Sequence, residues 1–342
     1  MPTAVQSKTR NPTKQLSAGQ LCFGFFSIFC LLLILKNSEI AVTYIHRGLQ
    51  LCAKTVVPSL FPFMVLSEII VGGQTGTGLS ARITYPLQRL FRLPSAGCSA
   101  VLLGLLCGFP VGAKCAILAF ERGQLSKSEA ERTLAFSNNP SSAFLIGAVG
   151  VSLWGNRRFG TALYVCTLVA GLLCGILLAH LEKKEPPIAQ KRIHAPHQTA
   201  ASPVTLFTGA VASATKSILL VCAYVIFFSA LVGTLGILIG QCHLPPWLSA
   251  SLFCIFELSG GVSQAAALGN RTHASLLTAF AVGWSGLSVH CQILSVCDGK
   301  SLSLRRYFWV KALQALLCPL LLGLLLYLFP ALTLPAEICT KR

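Results

Sequence analysis

The sequence predicts an all-α polytopic membrane protein, internally duplicated, with about nine apolar segments, some of them broken or re-entrant. Three observations predict it. Hydrophobic residues make up 54% of the 342-residue chain and charged residues only 11%, with a mean hydropathy of +0.70, whereas a soluble domain needs roughly a quarter of its residues charged. Apolar runs recur along the whole chain, each near the ~20 residues that a hydrocarbon core requires. Four of these runs are interrupted by glycine, proline, serine or asparagine, two in each half of the chain.

The elements follow in order. Residues 1–36 are a basic tail (Lys8, Arg10, Lys14) and a first span at 18–35; the run is long for a signal peptide and lacks a small-residue cleavage site after it. Residues 37–180 form a first membrane repeat, with a mixed interfacial segment at 37–55 and spans at 57–73, 96–120, 133–154 and 159–180. Residues 181–202, "LEKKEPPIAQKRIHAPHQTAAS", are a polar linker. Residues 203–332 are a second repeat, mixed at 203–216 and apolar at 217–240, 246–268, 274–297 and 308–330, and 333–342 are a C-terminal tail. Ser126 and Glu129 have the spacing of a capping box opening a helix. Trp154, Trp247 and Trp309, near the ends of apolar runs, read as interface anchors.

The duplication rests on three pairings in the same order: Lys54 and Ser67 with Lys216 and Ser229, "CGFPVGAK" at 107–114 with "SGGVSQAA" at 259–266, and "AFSNNPSSAFLIGA" at 135–148 with "AFAVGWSGLSVHCQ" at 279–292. The offsets shrink from 162 to 152 to 144, as if the second copy had shorter connections. Nine full crossings would place 12 Lys and Arg on the side of the N-terminus, four of them at 300–311, and 13 on the other. Basic residues normally collect on one side. The tie favours re-entrant hairpins, which change the parity of everything after them.

A helix broken inside the bilayer survives only where protein or a water-filled cavity meets its freed backbone groups. Interruptions at matching places in two halves are therefore pointers to a solute site near the midplane. They fall at Gly108-Phe109-Pro110-Val111-Gly112, Ser137-Asn138-Asn139-Pro140-Ser141-Ser142, Ser259-Gly260-Gly261 and Gly283-Trp284-Ser285-Gly286. The second half of each broken helix offers free N–H groups and a partial positive charge, which suit carboxylates. Lys114 follows Gly112 by two residues and either adds an ammonium to that anion site or pairs with Glu68 or Glu257. Asn138 and Asn139 can bind a polar ligand or satisfy broken backbone. Glu257 is an intramembrane carboxylate, read as a proton or sodium site or as a partner of Lys114. Ser285, Gly286, Ser288, His290 and Gln292 complete the second half's contribution, with His290 either a proton relay or a ring bonded to a carbonyl. Ser67 and Glu68 line the same cavity or cap a span.

The composition and motifs exclude other classes. The +17 net charge is scattered between apolar runs, which suits lipid headgroups and helix orientation and leaves no basic face for nucleic acid. The 15 cysteines lie mostly inside apolar runs as small hydrophobes, with no Cys-x-x-Cys or Cys/His cluster, so no metal and no cofactor is expected. With no Gly-x-Ser-x-Gly, P-loop or His-Glu-x-x-His, the chain is not expected to be an enzyme. The expected partners are a small organic anion and the bilayer, and a homo-oligomer stays open.

At "VPSLFPFMVLSE", "GFPVGAK", "LAFSNNPSSAFLIGAVG", "ELSGG" and "GLSVHCQ", taken together, the chain resembles the YlbJ-type (SpoVV) sporulation integral membrane proteins, over about residues 40–330. Their repeated unit is similar to the nucleoside-recognition "Gate" domain. The resemblance implies transport of dipicolinic acid across the outer forespore membrane of a spore-forming bacterium. It implies Ser-Gly-Tyr-Pro where this chain has Cys107-Gly108-Phe109-Pro110, which removes a hydroxyl at position 109. The open alternatives are a nucleoside or nucleobase transporter and a non-transporting membrane scaffold or receptor.

Overall fold

In a computed structural model the chain is helical, with no strand among the described residues, which are 17–72, 81–181 and 202–333. The tail before residue 17, the linker from 182 to 201 and the C-terminal tail from 334 lie outside them. Helix α1 (Ala18–Lys36) turns at Asn37 into α2 (Ser38–Leu51), which runs through one π-helical turn (Cys52–Val56) into α3 (Val57–Gly72). The widened turn sits just before Pro58, whose ring and missing N–H do not fit a regular α-helical ladder. Residues 37–55 are thus part of a crossing and not a separate interfacial helix. The same correction applies to 203–216, which open the single 39-residue helix α9 (Pro203–Gln241).

Helix α4 (Ala81–Phe91) meets α5 (Ser95–Cys107) at 100°. After α5 the chain reverses at Gly108-Phe109-Pro110 and returns as α6 (Val111–Glu121). A Cβ on Gly104 would lie 2.8 Å from the Gly112 Cα, an approach that eight residues of straight helix, about 12 Å long, could not make. The run 96–120 is therefore a re-entrant hairpin. Helix α7 (Lys127–Phe136), opened by the expected Ser126/Glu129 capping box, breaks at 137–142 and continues as a π-helical segment, Ala143–Leu153, before α8 (Arg157–Leu181).

The second half repeats this order. After α9 comes a second hairpin, α10 (Pro246–Phe256) and α11 (Leu258–Ala266), in which a Cβ on Gly261 would lie 2.5 Å from the Cys254 Cα. Then come α12 (Arg271–Trp284), a break at Ser285, α13 (Gly286–Cys297) and α14 (Arg305–Leu328). One offset, 148, relates the hairpin tips (Phe109 and Glu257), the breaks (Ser137 and Ser285) and the last helix starts (Arg157 and Arg305). This replaces the shrinking offsets. Upstream the spacing is larger because the first half carries α4 between its long helix and its hairpin.

Among the described residues six helices are long and apolar enough to cross a membrane, seven if the bent α4–α5 pair counts as one; nine is too high because two of the apolar runs are hairpins and the run 133–154 is broken into short pieces. Contacts fix the faces. Arg92 donates to the Ala179 carbonyl at the end of α8 (3.0 Å), the Ser303 N–H donates to Glu131 (2.8 Å), and Lys300 pairs with Glu121. On the opposite face Asn156 donates to the Leu332 carbonyl (2.8 Å) and the Arg271 guanidinium lies 5.5 Å over the Trp154 ring. With each hairpin returning to its own face, nine Lys and Arg among the described residues lie in connections on the first face, three each in 82–92, 122–132 and 300–306. Five lie on the other: Lys36, Arg47, Arg157, Arg158 and Arg271. The charge tie is gone, and the first face is the basic one. Trp247 and Trp309 are exposed, but Trp154 is buried and stacks on Phe159 at 4.1 Å, so it packs the interior and does not anchor an interface.

Candidate functional site

The hairpins enter from opposite faces. Helix α5, 13 residues long, reaches about 20 Å inward and α10, 11 residues long, about 17 Å, so the tips meet near mid-membrane. Each tip packs on the break of the next helix. At the first, the Phe109 N–H donates to the Asn139 carbonyl (3.0 Å), and Gly108, at φ 82°, leaves room for the Ser141 backbone, whose nitrogen would lie 2.7 Å from an added Cβ. Gly104 and Gly112 face the Ser137 carbonyl, which a Cβ on Gly112 would approach to 2.5 Å. At the second, Gly286, at φ 77°, lies against the Leu258 nitrogen, 2.9 Å from its would-be Cβ, and the Trp284 indole donates to the Ile255 carbonyl (3.1 Å).

The two helix N-termini at the tips are capped differently. The Ala113 N–H of α6 donates to the Asn138 side chain (2.8 Å), whose amide donates in turn to the Leu134 carbonyl (2.7 Å). Asn139 donates to the Phe136 carbonyl (2.9 Å) and accepts from Gln314 (3.1 Å). Both asparagines are thus spent on broken backbone and on α14. In the second hairpin the chain breaks at Glu257, not at Ser259-Gly260-Gly261, which lie in the first turn of α11. The Glu257 carboxylate caps its own helix, accepting from the Ser259 (3.0 Å) and Gly260 (2.5 Å) N–H groups.

Between the tips lies a cavity of about 40 Å³ with Phe109, Ser141 and Phe144 on one side and Glu257, Ser259, Ser288 and Gln292 on the other. With the tips closed it has room for water but not for a ring, so a ring-bearing solute needs the tips to part. Ser288 and Gln292 are almost wholly buried, and the Ser288 Oγ and Gln292 Oε1 have no hydrogen-bond partner among the described residues. Helix α13, which carries them, has no side-chain cap at its N-terminus. A larger cavity of about 230 Å³ lies farther toward the basic face: Met64 is one turn past Leu60 and Val296 one turn past Gln292, while Val111 and Lys114 follow the hairpin tip. It ends at Glu121 near the face.

Lys114 lies in this outer cavity. It pairs with Glu68 and donates to Ser217 (2.7 Å) and Ser213 (3.2 Å). Of its two readings, pairing with a carboxylate is the one the structure makes. Ser67 and Glu68 line the outer cavity, not the space between the tips. His290 lies outside both cavities, its Nδ1 2.9 Å from the Tyr307 hydroxyl and its ring 4.5 Å from that of Trp284. Pro110 leads into α6 and lines neither cavity.

Sequence reasoning missed Phe144, Lys311 and Gln314, and counted Ser141 only as part of a break. Lys311, counted there among loop cations, is fully buried in α14, where its ammonium nitrogen lies 3.3 Å from the Ser285 hydroxyl. A lysine and a glutamine three residues apart inside an apolar run were the available signal. Through them α14 touches both breaks, Ser285 with Lys311 and Asn139 with Gln314.

Neither a protein-family model nor a solved structure matches the chain. The Sporulation integral membrane protein YlbJ of Bacillus subtilis (strain 168) is 25% identical to it over 328 residues, covering 86% of this chain and 79% of that protein. That likeness runs over most of both lengths, and with six helices among the described residues long and apolar enough to cross a membrane, or seven with the bent pair, the chain is an integral membrane protein similar to YlbJ.

Proposed function

We propose that the chain is a membrane transporter of a small organic anion, dipicolinate, and that it works in the outer forespore membrane during sporulation. The observation that carries this reading is the meeting of two hairpin tips, from opposite faces, with two broken helices around one buried cavity. That arrangement gives a solute site with a gate on either side. The outer cavity supports it further by leading toward the basic face, which the positive-inside rule orients to the cytoplasm. A solute would enter there, pass Lys114 and Glu68, and part the tip of the first hairpin from α13. The repeated order of elements supports the likeness to a Gate-type repeat.

One observation favours a second reading, an uncharged nucleoside or nucleobase: among the described residues Glu257 is the only charged one lining the space between the tips, and its carboxylate is already bonded. Uptake by proteoliposomes, with and without a pH or sodium gradient, tests both. Dipicolinate flux that excess uridine does not reduce is the expected result. Uridine flux that dipicolinate does not reduce would transfer the site to nucleosides. No flux of either solute would leave a scaffold or receptor.

A further inference from the structure

A site for an organic dianion needs a counter-charge, and the lysine that the sequence offers for it, Lys114, already has Glu68. Lys311 has no such partner. It is fully buried, pairs with no carboxylate among the described residues, and makes one side-chain hydrogen bond, to the Ser285 hydroxyl. The titratable groups around it are the thiols of Cys318 and Cys174, the imidazole of His290 and, one turn back on α14, the phenol of Tyr307 that meets that imidazole. An ammonium held so far from water lacks a compensating charge.

Its position says where that charge would come from. Ser285, in the left-handed region at φ 76°, is the break between α12 and α13, and Ser288 lies three residues beyond it in the first turn of α13. Ser288 and Gln292 line the cavity from the first two turns of α13, whose N-terminus no side chain caps, and each has a buried oxygen without a hydrogen-bond partner among the described residues. A carboxylate placed there would take hydrogen bonds from the Ser288 hydroxyl and the first N–H groups of α13, with Lys311 behind Ser285. Lys311 does not line the cavity, and its attraction would act through the Ser285 layer, where little water screens it.

We propose that Lys311 is the specificity-determining cation of this site, the counter-charge that makes the cavity select a carboxylate over an uncharged ring of the same shape. The inference rests on the transporter reading for its setting, but binding tests it without flux. The full chain in lipid nanodiscs is titrated by calorimetry with pyridine-2,6-dicarboxylate and with the isosteric pyridine-2,6-dicarboxamide. The unchanged protein binds the dicarboxylate more tightly. Lys311→Gln weakens dicarboxylate binding at least tenfold and leaves the diamide as it was, and Lys311→Arg, which keeps the charge, recovers part of the loss.

Equal dicarboxylate binding by Lys311→Gln and the unchanged protein overturns the inference. So does an equal loss of both ligands, which would mark a purely structural lysine. Thermal unfolding of each variant separates that case from a failure to fold. Lys311-dependent binding with no flux in proteoliposomes would refute the transporter and keep the counter-charge. Flux that Lys311→Gln leaves unchanged would do the reverse.

Discussion

The two hairpins occupy equivalent places and are held in opposite ways. The first is fastened to its broken helix through backbone: Phe109 to the Asn139 carbonyl, Ala113 to the Asn138 side chain, and two glycines against the Ser137 carbonyl. The second caps itself with Glu257 and meets its own broken helix through the Trp284 indole and the packing of Gly286. A hairpin whose capping bonds are all internal can shift without leaving a buried donor unpaired. One whose caps come from a neighbour cannot. The difference teaches which part of the pair is frame and which is free to move: the first hairpin travels with the 137–142 break, and the second can slide past Ser285.

Substitutions can break or sharpen that contrast. The largest effect is expected at Gly104, where any side chain would collide with the Ser137 carbonyl. Gly104→Val should abolish the folded state, read as loss of the monodisperse peak in detergent; a normal peak would show that the first hairpin is not clamped. Next, Asn138→Ala leaves the Ala113 N–H and the Leu134 carbonyl without their side-chain partner, a cost of about 1–3 kcal/mol visible as a lower unfolding temperature. Glu257→Ala removes only a self-cap, for about 1 kcal/mol, and should reduce uptake more than it reduces thermal stability. Equal thermal losses in these two variants would erase the distinction between the hairpins.

Smaller effects test the route. The Lys114–Glu68 pair is partly exposed, so Glu68→Gln should cost less than about 1 kcal/mol of stability while changing the initial rate of uptake; an unchanged rate would remove the outer cavity from the path. The smallest thermal effect is expected for Gln292→Leu. It deletes a buried oxygen that has no partner, so the unfolding temperature should hold or rise while solute affinity falls. Unchanged affinity would place the solute elsewhere.

Much of this is legible in the sequence. Long apolar runs announce the crossings, and Gly108-Phe109-Pro110 and Ser137-Asn138-Asn139-Pro140 announce breaks, because such residues interrupt a membrane helix only for a reason. Even the charge tie pointed to hairpins. What stayed hidden is the register of the second half. Ser259-Gly260-Gly261 looks like a break on composition, yet two glycines can continue a helix when the residue before them caps it, and Glu257 does. Lys311 was overlooked because it follows Arg305 and Arg306 closely enough to read as part of a basic loop. The fate of Lys114 depended on Glu68, 46 residues away, and no local pattern announces a partner that distant.

Helix α14 holds one kink through Lys311 and the other through Gln314, two grips only about 4.5 Å apart along a stiff rod. A rod gripped so narrowly cannot yield at one point and stay still at the other. Loosening either kink tugs on its counterpart, so the two portions of the molecule have to change shape in concert, and half-switched forms should be short-lived.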